Sequence, residues 1–269
     1  MTWQQANAAL LAGLVQQAPL GLVSDMDGTL SPIMPSPEQA YVSPRAQATL
    51  RTLAQRLPLV ALISGRAAAD LRERAGLPEL VYVGNHGLER WQDEQVVVRP
   101  EAAAHRPALQ AALDEIRPQL WPGILLEDKG ATAAFHYRQT PDRDAARERL
   151  QPLVEQVAQQ HGLRVTTGHM IFELRPPIEI DKGTAFRELV QTFGLAGAVF
   201  IGDDTTDADA LREAQAMRQR GECYAVAVGV DAPATPEVVR ASSDFLVSGV
   251  SGVEDFLDWL ANASSASDT

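Results

Sequence analysis

Five short apolar runs, each broken off by a polar or glycine-bearing cluster, limit what this chain can fold into more than any other feature. They are LGLVSD at 20–25, LVALISGR at 59–66, LVYVGN at 80–85, AVFIGDD at 198–204 and YAVAVG at 224–229. Such runs read as strands of a parallel sheet, buried on both faces. Helical segments lie between them. Ser43 followed by Pro44 supplies an N-cap and a proline at the first helical position, and the apolar pattern continues through Leu50, Leu53 and Leu57. Gly76 and Gly194 stand where helices begun near Arg66 and Thr184 should end. Strands alternating with helices predict a doubly wound α/β sheet, which binds ligands beyond the carboxyl ends of its strands. The polar clusters all fall there.

Residues 103–176 break this rhythm. Two long amphipathic stretches, 105–120 and 142–161, are each followed by alternating segments: ILLED and TAAFHYR after the first, LRVTT and HMIFELRP after the second. Alternation with period 2 implies a sheet with one exposed face. Pro100, Pro107, Pro176 and Pro177 punctuate the edges. The expectation is a core made of 1–102 and 177–269, with a smaller α/β domain, 103–176, inserted into it. The tail ANASSASDT is of low complexity and is expected to fray.

Composition narrows the partners. A length of 269 residues suits one large domain or two unequal ones, and 45% apolar with 22% charged residues is ordinary for a globular protein. The net charge of −12 argues against nucleic acid or an anionic membrane surface, both of which demand clustered positive charge. The single cysteine, Cys223, precludes an intramolecular disulfide and reads as a buried, inert thiol. No basic leader opens the sequence and no apolar run is long enough to span a bilayer, so a cytoplasmic location is expected.

The strongest chemical signal is DMDGT, Asp25 to Thr29, directly after an apolar run. A carboxylate at a strand end can attack phosphorus if a metal offsets the repulsion between two anions, and a second carboxylate two residues on can protonate the leaving oxygen. Asp25 is then the nucleophile and Asp27 the acid and base. Gly28 lets the backbone turn its N–H groups to a phosphate, and Thr29 opens the next loop. The competing reading is a plain Asp-Gly turn. GDDTTD, 202–207, again ends a strand, and three carboxylates so close repel one another unless a cation sits among them. Oxygen-only ligands suit Mg²⁺. Asp203 is expected to touch the metal and Asp204 and Asp207 to orient it, although Asp207 and Asp209 can equally serve the dipole of the following helix. Ser64, followed by Gly65 and Arg66 at a helix start, can donate a hydroxyl hydrogen bond to a phosphate. Lys182, in EIDKGTAF, also opens a helix, where the dipole disfavours a cation unless an anion is near.

The order DxDGT, strand-Ser-Gly-Arg, Lys-Gly, GDDxTD resembles the haloacid dehalogenase superfamily over nearly the whole chain. The resemblance implies an aspartyl-phosphate on Asp25, acid-base catalysis by Asp27, and a phosphoryl group held by Ser64 and Lys182 with the backbone at Gly28, Thr29 and Gly65. It also implies Mg²⁺ on the Asp25 carboxylate, the Asp27 backbone carbonyl and Asp203, and a Rossmann-like core with an α/β cap inserted between the Ser64 and Lys182 elements.

GNHGLE (84–89), LEDKGATAAFHYR (126–138) and the ELRPP run before Lys182 look like the trehalose-6-phosphate phosphatases. In HMIFELRP, Met170, Phe172 and Leu174 face one way and His169, Glu173 and Arg175 the other, while His136 and Arg138 share a face of the preceding strand. These groups can ring a sugar, or can be only the wet side of a sheet with a hairpin turn at Asp128-Lys129-Gly130. The resemblance implies that Glu127, Lys129, Arg138 and Glu173 contact the glucosyl unit remote from phosphorus, with Arg66, Asn85 and His169 as further sugar contacts. His169 stands where that family often has lysine. A sugar-phosphate substrate follows, with a functional link to a synthase that makes it. The alternatives are a phosphatase for sucrose 6-phosphate or mannosyl-3-phosphoglycerate, a phosphomutase, or a phosphoacceptor or sensor. Asp27 argues against the last, since a long-lived acylphosphate has no use for an adjacent acid.

Overall fold

The computed structural model describes residues 2–34, 36–168 and 170–265. Its strands are β1 (Leu20–Ser24), β2 (Leu59–Ile63), β3 (Val81–Gly84), β4 (Glu89–Gln92), β5 (Gln95–Val98), β6 (Leu125–Asp128), β7 (Ala133–His136), β8 (Arg164–Gly168), β9 (Ile171–Arg175), β10 (Gly197–Gly202), β11 (Tyr224–Asp231) and β12 (Phe245–Ser248). Contacts divide the chain into one unit of Met1–Val96 with Ile180–Thr269 and a second of Val97–Glu179. The inserted unit therefore runs a little beyond the proline-marked limits at both ends, and takes in the helical turn Pro100–Ala103.

Among the described residues the larger sheet has the order β12-β11-β10-β1-β2-β3-β4-β5. Pairing is parallel from β12 through β3 and turns antiparallel at β4. Each of the five apolar runs is a strand, and β1, β2 and β10 are buried at every position. Their alternate side chains feed two separate cores. Leu22, Leu62 and Ile201 point to the side that packs helices Pro44–Ala54 and Gly249–Ser265, while Val23, Ile63 and Phe200 point to helices Lys182–Thr192 and Asp207–Gln219. The first unit is thus a three-layer α/β/α core. From β1 the chain steps outward to β2 and β3, and it returns on the other flank at β10. The strand order reverses between β1 and β10, which opens a crevice outside their carboxyl ends.

The helix ends follow local chemistry. Ser43 Oγ accepts from the Ala46 N–H at 3.1 Å, with Pro44 at the first helical position, and Gly76 closes Ala68–Ala75 in a left-handed conformation. Burial pushes the Cys223 thiol up to about 11, in keeping with an inert thiol. The described part of the tail departs from expectation, while 266–269 lie outside the described residues: helix Gly249–Ser265 continues through Ala261, which is buried, and the Ala261 carbonyl accepts from Arg56 Nη1 at 2.7 Å. Packing and that bond hold residues that look too small and polar for a helix. No helix of the described residues is long and apolar enough to cross a membrane.

In the second unit β6-β7-β9-β8 form an antiparallel sheet. Ala133, Phe135, Phe172 and Leu174 line its inner face and pack on helices Arg106–Ile116 and Arg143–Gln160. The register Glu127↔Ala134↔Glu173↔Thr166 puts Glu127 and Glu173 in one row of the opposite face, and His136 and Arg175 share that face. The alternation expected there is present. Its polar face is not open at every position, however, because Glu173 and Arg175 are buried.

Candidate active site

Apolar runs end where the sheet meets the crevice, and the motifs are the first residues past that edge. The Asp25 N–H donates to the Ile201 carbonyl at 2.9 Å, which continues the β1–β10 ladder by one residue and fixes the Asp25 side chain against β10. Asp25, Asp203 and Asp207 each bring a carboxylate oxygen to within 4.8 Å of the others. Lys182 reaches them from the first turn of helix Lys182–Thr192, whose N-cap is Asp181. Its Nζ donates to Asp25 Oδ1 at 2.8 Å and to Asp207 Oδ1 at 2.6 Å. The other oxygen of Asp207 accepts from the backbone N–H groups of Asp203 and Asp204, at 3.1 and 3.0 Å. Asp207 is therefore an anchor, saturated on both oxygens, which shapes the 203–204 turn and holds the lysine. Asp204 lies outside the three-carboxylate cluster.

Electrostatics explain why this cluster calls for a cation. Three carboxylates share one ammonium. Burial raises the Asp25 carboxyl well above the ordinary carboxylate range; Lys182 opposes the shift, and Asp207, Asp203 and Asp27 add to it. Asp203 is pushed up to about 8, chiefly by burial and then by Asp207, with the Thr29 hydrogen bond acting against the shift. Burial alone would lower the Lys182 ammonium, but Asp207 and Asp25 outweigh it and hold it charged. All the ligand atoms are oxygens, the donor set of a hard divalent ion.

Thr29 Oγ1 donates to Asp203 Oδ1 at 2.9 Å, so its hydroxyl proton is spent on orienting that carboxylate rather than offered to a phosphate. Gly28 has φ +87°, and a Cβ there would lie 2.0 Å from Asp203 Oδ2. A side chain at 28 meets both backbone strain and a carboxylate. Gly28→Ala is expected to cost about 2 kcal/mol or more of stability. Denaturant unfolding checks this, and wild-type stability would mean that neither the left-handed backbone at 28 nor the Asp203 carboxylate resists a side chain.

On the other flank, Ser64 is buried just past β2, and its Oγ accepts from the Arg66 N–H at 3.2 Å, which leaves its own proton to donate. Gly65 has the His86 ring against it: an added Cβ would meet Nε2 at 2.7 Å. Arg66, expected at the sugar, pairs with Asp27 and Asp70. Asn85 is fully buried at the end of β3, with φ +49°, and His86 follows at φ +56°. Two successive non-glycine residues in the left-handed region mark a spot where the fold holds strained backbone.

In the second unit Glu173 Oε1 accepts from Lys129 Nζ and from Thr132 Oγ1, both at 3.0 Å, and His136 Nε2 lies 2.9 Å from Glu127 Oε2. Lys129 and Glu173 are thus joined, Glu127 pairs with His136 on the same face of the sheet, and Arg138 follows β7. His169 lies outside the described residues. Sequence reasoning missed Glu89, whose Oε1 accepts from the Ala68 N–H at 2.7 Å and supplies the cap that Ala67 cannot. It also missed His86 and Thr132.

A family model described as trehalose-phosphatase matches residues 23–244. The trehalose-phosphate phosphatase of Mycobacterium tuberculosis (strain ATCC 25618 / H37Rv) is 39% identical over 213 residues, covering 75% of this chain and 53% of that protein. The chain spans about half the length of the curated relatives it matches. Among solved structures, that of Aspergillus fumigatus trehalose-6-phosphate phosphatase (crystal form 3) is 27% identical, covers 96% of this chain and 98% of its own, and superposes with a TM-score of 0.62. The C-terminal domain of the C. albicans trehalose-6-phosphate phosphatase shares the fold at 23% identity, with a TM-score of 0.76 and coverage of 95% and 96%. With more than half of its length matched by the family model, the chain belongs to the trehalose-phosphatase family.

Proposed function

We propose that this chain is a Mg²⁺-dependent phosphatase that hydrolyses trehalose 6-phosphate through an aspartyl-phosphate on Asp25. One observation carries the reading: Asp25, Asp203, Asp207 and Lys182 meet at the ends of β1 and β10 in a chain of the trehalose-phosphatase family. The Asp25 carboxylate attacks phosphorus, and the bond from phosphorus to the sugar oxygen breaks as Asp27 gives that oxygen a proton. Asp27 then takes a proton from the water that cleaves the acylphosphate. Lys182 and the Ser64 hydroxyl hold the phosphoryl oxygens, with the backbone at Gly28 and Gly65 beside them. Mg²⁺ would be held by Asp25, Asp203 and the Asp27 carbonyl, and when bound it lowers the repulsion between Asp25 and the phosphate.

Discrimination among sugar phosphates belongs to the 97–179 unit in this reading. Glu127, Lys129, Arg138 and Glu173 bind hydroxyls of the glucosyl unit remote from phosphorus, and His169 is a further contact. The joined Lys129 and Glu173 favour this, since a paired row holds donors and acceptors at fixed spacing for a polyol. The enzyme works in the cytoplasm on the product of a trehalose-6-phosphate synthase. The test is kcat/KM for trehalose 6-phosphate, glucose 6-phosphate and sucrose 6-phosphate in wild type and Glu173→Ala. The variant is expected to lose the equivalent of roughly 1 to 3 kcal/mol toward the trehalose ester and to change little toward glucose 6-phosphate. A wild type with no preference for the trehalose ester would remove the substrate assignment.

A further inference from the structure

Arg66 opens toward the site from the turn after β2, and its guanidinium makes four hydrogen bonds. Nε and Nη2 donate to the two oxygens of Asp27, at 2.6 and 2.8 Å. Nη1 donates to Asp70 Oδ2 at 2.7 Å, and Nη2 also donates to the Pro37 carbonyl at 3.0 Å. The chain of contacts continues: Asp70 Oδ1 accepts from Arg74 Nε at 2.7 Å, and Arg74 Nη1 donates to the Glu38 carbonyl at 2.6 Å. The Arg66 side chain is 13% exposed and that of Asp27 31%. A planar fork bonded to both oxygens of a carboxylate fixes its distance, its plane and its direction, which a lysine cannot do. Asp70 and the Pro37 carbonyl in turn fix the fork.

We propose that Arg66 is a positioning residue for Asp27. Through Asp70 and Arg74 it sets the carboxylate against the 36–39 turn, and it does not contact the sugar. The inference rests on the proposed phosphatase reading, in which Asp27 protonates the leaving oxygen. A general acid works only within hydrogen-bond reach of that oxygen, and a displacement of about 1 Å can cost about 100-fold in rate. The Arg66 fork carries that constraint, because Asp27 lies just before the 28–30 turn with part of its side chain in solvent.

The role separates from sugar binding by the leaving group. An alkyl phosphate such as ethyl phosphate needs the acid and has no sugar, whereas p-nitrophenyl phosphate has a sugar-free leaving group that departs without a proton. Arg66→Ala and the milder Arg66→Lys, each checked for native circular dichroism, are measured on trehalose 6-phosphate, ethyl phosphate and p-nitrophenyl phosphate, alone and combined with Asp27→Asn. The expected result is a fall in kcat of about 10- to 100-fold on both the sugar and the ethyl ester, with KM little changed. The pre-steady-state burst of p-nitrophenol should fall less than about threefold, and Arg66→Ala should add almost nothing once Asp27 is Asn. A loss confined to the sugar ester and seen in KM, or a full additional loss in the double variant, overturns the proposal while leaving the phosphatase reading in place. A wild type inactive on all three esters removes the reading itself, and the role of Arg66 with it. Should Arg66→Ala fail to fold, Arg66→Lys and Asp70→Asn carry the same comparison.

Discussion

Asp25→Asn is expected to lower turnover by about 10⁴-fold or more while leaving the fold intact. The amide has the size of the carboxylate and keeps an oxygen to accept from Lys182 Nζ, so the 2.8 Å contact survives. The Asp25 N–H bond to Ile201 is untouched. In the proposed reading the substitution removes the nucleophile, and no other carboxylate in the cluster is free to replace it. Asp207 is bound on both oxygens and Asp203 accepts from Thr29. The same change takes one negative charge out of a crowded, buried group. In chelator, therefore, the variant should melt at or above the wild-type temperature, because Asp25 is disfavoured as an anion by burial and by Asp207, Asp203 and Asp27. Phosphate release and thermal melting on one preparation check both halves. Retained turnover above about one per cent of wild type would remove Asp25 from the nucleophile role.

The carboxyl ends of β1 and β10 were readable because their runs are buried on both faces, which leaves nothing polar until the strand ends. DMDGT and GDDTTD could then lie only at the crevice. Lys182 was readable for a related reason: a cation opening a helix needs an anion, and it has Asp25 and Asp207. Arg66 obeys the same rule, but its partner Asp27 is 39 residues away and equally charged residues abound, so the pairing itself was not legible. The hairpin of β4 and β5 escaped because its turn is formed by Asp93 and Glu94, both with positive φ, rather than by glycine or asparagine, and β5 is largely exposed. Glu89 escaped because capping from 21 residues away leaves no local pattern.

Removing the divalent ion should abolish turnover and give the folded protein a pH dependence that the ion suppresses. Asp203 ionises near 3.8 in an unfolded chain and is pushed up to about 8 in the folded, metal-free site. Between those values the folded protein keeps a proton that the unfolded chain has lost. Folding then takes up protons, and stability is largest below the lower value and falls as pH rises through the window. One such group gives a slope of at most about 1.4 kcal/mol per pH unit, and Asp25, shifted in the same direction, adds to it. In EDTA the melting temperature should drop by several degrees between about pH 5.5 and pH 8. Millimolar Mg²⁺ should raise it most at the alkaline end, where the ion no longer competes with protons for the carboxylates, so the slope flattens or reverses. Asp203→Asn should flatten the EDTA profile and remove most of the gain from Mg²⁺. Full phosphatase activity in metal-free buffer would mean that Asp25 and Asp203 hold no metal that the reaction needs, and a melting temperature in EDTA that climbs between pH 5.5 and 8 would mean that burial does not keep Asp203 protonated in the metal-free fold.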